Sequence, residues 1–197
     1  MSTREDWLNQ AVDELRPVFD ASGYPLPDNI RVSCGNPSRN ARSANRAVGE
    51  WHSAKSSSDN THEIFVSPVI ADPHEVFGVL VHELAHSATD GDGHRGRFPR
   101  CVRKLHLEGK PTHTKVGVRF QQEFGALIES LGEYPHAPLN LGIDRKVQGT
   151  RNLRATCPSC GFLIHLTRKW AYATDANGNE VPNLPICPND NSSFSLS

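Results

Sequence analysis

Val76 to Phe98 reads VFGVLVHELAHSATDGDGHRGRF, and the interpretation of the whole chain turns on it. His82 and His86 are four residues apart, so on a helix their imidazoles project from one face, one turn above the other. Glu83 stands between them in the H-E-x-x-H spacing that lets two histidines hold Zn2+ while the carboxylate reaches a water. The apolar run Val76, Phe77, Val79, Leu80 and Val81 ahead of the motif suits a buried helix carrying a polar site. A solvated His/Glu helix face, the alternative for a bare motif, fits that run less well.

Two histidines leave a tetrahedral zinc short of one protein ligand besides its water. His94, reached after the GDG bend at 91–93, is the favoured third ligand. Asp92 is a rival, standing where the pattern HExxHxxGxxH puts its last ligand, but Thr89 replaces the required Gly and Met1 is the only methionine, so no Met-turn exists. A glutamate from a later segment, Glu108, Glu123 or Glu129, is the other alternative. The expected chemistry is peptide hydrolysis, with Glu83 as general base toward water and then as proton donor to the leaving amine. No phosphate cradle or dinucleotide fingerprint is present. HEIFVS at 62–67 is a candidate strand for pairing with an extended substrate backbone. Tyr134 and His136 are candidate oxyanion donors, with structural packing as the alternative for each.

The 197 residues allow one well-packed domain and a small appendage. A formal net charge of −1 excludes strong overall attraction to nucleic acid or membrane, but the charge is unevenly spread. Residues 1–30 carry six acidic and two basic side chains, whereas Arg145, Lys146, Arg151, Arg154, Arg168 and Lys169 fall in a stretch with no acidic residue. Such asymmetry marks either a nucleic-acid-facing end or a solvated basic linker. The N-terminus has no apolar core of signal-peptide type, and no stretch approaches the roughly 18 apolar residues of a membrane span. Five cysteines without an export signal point to a reducing, cytoplasmic compartment, where thiols serve metals more often than disulfides.

In chain order, Asp6 to Ala21 has helical periodicity through Trp7, Leu8, Ala11, Val12, Leu15 and Phe19, with Pro17 expected to kink or end it. A strand is expected at Ile30–Cys34, then a polar loop containing Arg39, Arg42 and Arg46. Residues 47–53 and 62–67 read as a hairpin. Asp72, Pro73 and Glu75 form a favourable start for the HExxH helix, which should end near Thr89. Gly96 to Leu107 reads as a helix with a basic outer face, and Phe120 to Leu131 as another with Phe120, Phe124, Leu127, Ile128 and Leu131 inward.

Beyond Arg145 the composition changes. ATCPSCGFLIHLTRKWAYA reads as strand, tight CPSCG turn and second strand, followed by an NGN turn at 177–179 and a second knuckle, PICPND. Cys157 and Cys160 form a zinc-ribbon half-site; Cys187 is followed at the expected gap by Asp190 in place of cysteine, and carboxylate also ligates zinc. His165 is the rival fourth ligand. Trp170 and Tyr172 are available to stack on bases beside the basic flank. Cys34 and Cys101 are read as core residues.

HELAH, a short bend, then GHRGRF at 93–98 resembles the SprT-like (Spartan-type) zinc metallopeptidase family, whose HExxH is followed by a GHG-x-x-F element; Arg95 stands where that element has its second Gly. The opening helix, IFVSP, the DP-x-x-V helix start, LGEYPH and the CPSCG unit also resemble it, so the likeness spans nearly the whole chain, and it is most similar to compact prokaryotic and phage-type members. The resemblance implies that His82, His86 and His94 bind catalytic zinc, that Glu83 is the base, and that the substrates are DNA-associated or DNA-crosslinked proteins, as in DNA–protein crosslink repair. The expectation is then an α+β chain: a zincin-like metallopeptidase domain at 1–143 with helices packed on a small antiparallel sheet, a basic linker at 144–153, and a zinc-ribbon-like domain at 154–197. One catalytic and one structural Zn2+, a protein substrate, DNA contacts through Arg151, Arg154, Arg168, Lys169 and Trp170, no membrane, and a monomer are expected. The competing expectations are a DNA-binding zinc module with a vestigial or regulatory peptidase site, and a peptidase with one dedicated protein partner and no need for DNA.

Overall fold

A computed structural model describes residues 2–38, 46–141, 143 and 152–196, and its chain is mixed α+β, in two units spanning Met1–Ile143 and Asp144–Ser197. The first unit opens with α1 (Arg4–Ser22). Thr3 caps it reciprocally with Asp6: the Thr3 hydroxyl accepts from the Asp6 amide at 3.1 Å and the Asp6 carboxylate accepts from the Thr3 amide at 2.8 Å. Of the two outcomes expected at Pro17, a kink or an end, the helix does not end there, and the reason is one of magnitudes. An interior proline costs about 3 kcal/mol, but Pro17 is exposed, so the carbonyl it frees meets water. Burial of Phe19 contributes about 1.5–3 kcal/mol. The last turn is further closed by Gly23 in the left-handed region (φ 78°), whose amide bonds Asp20 while that of Tyr24 bonds Phe19.

Strands β1 (Ile30–Cys34), β2 (Gly49–His52) and β3 (His62–Val66) form a sheet in the order β1-β3-β2. β2 pairs antiparallel with β3 as the hairpin reading requires, but β1 pairs parallel, so the sheet is mixed instead of antiparallel. This order leaves β3 central, with His62, Ile64 and Val66 buried. Against this sheet lies α2 (Pro73–Ala88), capped by the Asp72 carboxylate on the Glu75 amide with Pro73 in the first turn. It touches β2, β3, α3 (Phe98–Lys104), β5 (His113–Val116) and α4 (Val118–Leu131), which is why it is apolar nearly all round. Phe77 is the aromatic pivot, with Trp7, Phe120 and Phe124 ring centroids at 6.4, 6.1 and 5.7 Å.

The region after α2 departs from the sequence reading. The helix expected from Gly96 to Leu107 stops at Lys104, and His106 takes a positive φ of 60° that turns the chain into β4 (Leu107–Lys110). β4 pairs with β5 across the two-residue turn Pro111–Thr112. This hairpin was not anticipated, because apart from Leu107 its residues are exposed or half-buried and carry little apolar alternation.

In the second unit, β6 (Asn152–Thr156) pairs antiparallel with β7 (Leu163–Thr167) and with β10 (Ser195–Leu196). A single helical turn, α5 (Arg168–Ala171), interrupts what was read as one strand, and β8 (Tyr172–Thr174) then pairs with β9 (Glu180–Pro182) around the NGN turn. Among the described residues of this unit, Ala155, Cys157, Ala171, Cys187 and Phe194 are buried.

Candidate metal centre

The two histidines of α2 meet His94 in the first unit. One donor atom from each of His82, His86 and His94 lies within 4.8 Å of the others, a grouping that can hold a metal ion. The bend that delivers His94 is built from Gly91, Gly93 and Gly96, at φ 90°, 55° and 56°. Asp92 closes it by accepting from the Arg97 amide at 2.8 Å and its Nε at 3.0 Å. That bonding occupies the Asp92 carboxylate, so this rival stands outside the histidine group. Arg95 is not among the positive-φ residues, so its replacing a glycine strains nothing. Glu108, Glu123 and Glu129 are exposed and do not join the group.

The donor set suits zinc. Burial pushes the imidazoles of His82 and His86 down to about 4 and about 3, with their histidine neighbours adding to the effect, so both are neutral donors at physiological pH. His82 is oriented from outside the group: its Nδ1 lies 2.8 Å from the Thr114 hydroxyl on β5, which leaves Nε2 for a metal. The His86 ring stacks on Phe98 (4.1 Å, 21°) and on Trp51 (5.7 Å, 15°). The Trp51 indole N–H in turn donates to His62 Nδ1 at 3.1 Å. Gly78 lets the hairpin approach α2 so closely that an added Cβ would sit 2.4 Å from Val116.

Glu83 is 6% exposed, and burial, followed by the nearby Glu50 carboxylate, raises its carboxyl to about 8. It opens, with the three histidines, onto a cleft of about 800 Å3 bordered by β2, the N-terminal half of α2 and the β4–β5 hairpin. β3 is not available to an extended chain, because β1 and β2 flank it on both sides. Among the described strands, the edge strand beside the cleft is β2 (Gly49–His52). Tyr134 and His136 do not line the cleft. Tyr134 packs edge-on against Trp7 at 5.2 Å, and His136 Nε2 lies 2.7 Å from the Pro68 carbonyl. Thr114, Trp51, His62, Gly49 and Gly78 were missed in the sequence; the Gly109 and Pro111 punctuation before HTKV was the available signal for the hairpin.

The second unit holds a separate group, Cys157, Cys160, Cys187 and Asp190, whose donor atoms again lie within 4.8 Å of one another. The Ser192 amide holds the Asp190 carboxyl well below the usual carboxylate range, so it is an anionic donor. His165 lies on β7 outside this group. Of the residues expected to touch DNA, Trp170 is 67% exposed with the Lys169 ammonium 5.4 Å from its ring. Arg168 pairs with Glu180 and covers Tyr172 at 4.8 Å. Arg154 is on β6 opposite His165, and Arg151 lies outside the described residues, as do Arg39 and Arg42. No helix among the described residues is long and apolar enough to cross a membrane. No family model, curated protein or solved structure matches this chain.

Proposed function

We propose that the chain is a zinc-dependent endopeptidase of zincin-like fold with a structural zinc ribbon, acting on DNA-associated proteins. The observation that carries the reading is the convergence of three histidines with a buried carboxyl on one cleft beside an edge strand. His82, His86 and His94 would hold the catalytic ion, and Cys157, Cys160, Cys187 and Asp190 the structural one. Zinc at the histidine site supplies Lewis acidity, acidifying water and polarising a substrate carbonyl. Glu83 accepts the proton of the attacking water as the new C–O bond forms, and returns it to the amide nitrogen as the C–N bond breaks. An extended substrate strand pairs along β2, whose backbone groups fix its register. The DNA part of the reading rests on the resemblance to SprT-like peptidases and on exposed Trp170 beside Lys169, a stacking surface with a cation.

The test is cleavage of an unfolded, fluorescein-labelled casein by the zinc-loaded chain, with and without single-stranded DNA. Glu83→Gln should keep its zinc and lose kcat by about 10^2–10^4-fold, the usual span of a general base. Retained cleavage would remove Glu83 from that role, and cleavage indifferent to DNA would remove DNA from the reading.

A further inference from the structure

Gly49 begins β2, and its φ lies outside the left-handed region, so its backbone is ordinary strand that any residue adopts. Glycine weakens a strand and often marks a close approach of something else. Here the approach is specific. A Cβ at this position would fall 2.4 Å from Glu83 Oε1, 2.9 Å from Glu83 Cγ and 2.7 Å from Val79 Cγ1. Glu83 and Val79 are one turn apart on the same face of α2. Val79 is β-branched and held to one χ1 rotamer in a helix, whereas Glu83 has three torsions and an open cleft to turn into. An added methyl therefore displaces the carboxylate, and the Val79 contact must give as well.

We infer that Gly49 is a positioning residue for Glu83: the missing side chain is the slot in which the carboxylate sits against the edge strand. This rests on the reading of Glu83 as the general base. Restoring ordinary contact, which starts at 3.4 Å, moves the oxygen by about 1 Å, a misplacement that costs about 10^2-fold in rate.

Two measurements test this. In the first, zinc-loaded wild type and Gly49→Ala are compared on the labelled casein; kcat falls about 10^2-fold while zinc content stays as in wild type. In the second, urea unfolding is followed for Gly49→Ala with Glu83 intact and with Glu83→Ala, all in a Val79→Ala background that removes the other contact. Gly49→Ala lowers the unfolding midpoint only when the Glu83 side chain is present. A folded Gly49→Ala protein with wild-type kcat, or an equal midpoint loss with and without that side chain, overturns the inference. Wild type that loads zinc but cleaves nothing defeats the peptidase reading instead, and the unfolding cycle still decides the slot.

Discussion

Burial drives Glu83 and its histidine neighbours in opposite directions on the pH scale, and this separates their effects on stability. His82 and His86 drop from 6.5 to about 4 and about 3, so the unfolded chain binds more protons as pH falls below 6.5, and stability is lost toward acid. Glu83 rises from 4.5 to about 8, so the folded chain binds more protons than the unfolded one across that interval. Its contribution is complete below 4.5 and disappears as pH rises through 8. Between 6.5 and 8 the two histidines add no slope, and Glu83 acts without them. The zinc-stripped protein should therefore lose urea resistance from pH 6.5 to 8, and Glu83→Gln should flatten that decline. A flat wild-type profile would mean that Glu83 ionises in its ordinary range. At this scale the candidate site was legible, since His82, His86 and His94, which meet in the structure, fall with Glu83 in a run of 13 residues. Their supports were not: Trp51, Thr114 and Gly49 are distant in sequence and ordinary in type.

Among the elements, the β4–β5 hairpin was the least legible and matters most to the site. The helical pattern of 98–105 runs on smoothly into His106 and Leu107, and only the left-handed turn at His106 ends it. The hairpin reaches α2 because Gly78 leaves room for Val116, and that approach brings Thr114 to His82. Gly78→Ala is thus two opposed changes. As a helix substitution it stabilises by about 0.5–1 kcal/mol, and as a packing change it pushes the hairpin outward. Zinc affinity of the histidine site should fall by about 10–100-fold, the usual effect of losing an outer partner of a ligating histidine. Competition with a chelating dye reads this directly, and unchanged affinity in Gly78→Ala would show that the hairpin adapts.

For the whole molecule, the two ligand groups lie in different units, each supplied entirely by its own unit. Elemental analysis should find two zinc ions per chain, one after either His86→Ala or Cys187→Ser, and none when both are changed. The two losses should differ in consequence. The first unit has a large apolar core apart from the histidines, whereas the described part of the second has five buried residues, two of them cysteines of its candidate metal group. Cys187→Ser should therefore unfold the second unit, since so small a core needs its metal, while His86→Ala should leave the first unit folded. A second unit with native circular dichroism after Cys187→Ser would contradict this.

Short-range spacing was enough for what is local. The HExxH face, the Asp72–Pro73 start of α2, the strands at 30–34 and 62–66 and the paired cysteine knuckles all follow from spacings of a few residues, where helical and strand periods and ligand chemistry act directly. Long-range packing governs what depends on burial and neighbours. It carried α1 through Pro17, because a buried Phe19 offsets a solvated carbonyl. It set β1 parallel to β3 and left β2 as the edge, because strand order follows from the path of the chain and not from its residues. It also excluded Asp92 from the histidine group, because the Arg97 amide and guanidinium hold its carboxylate.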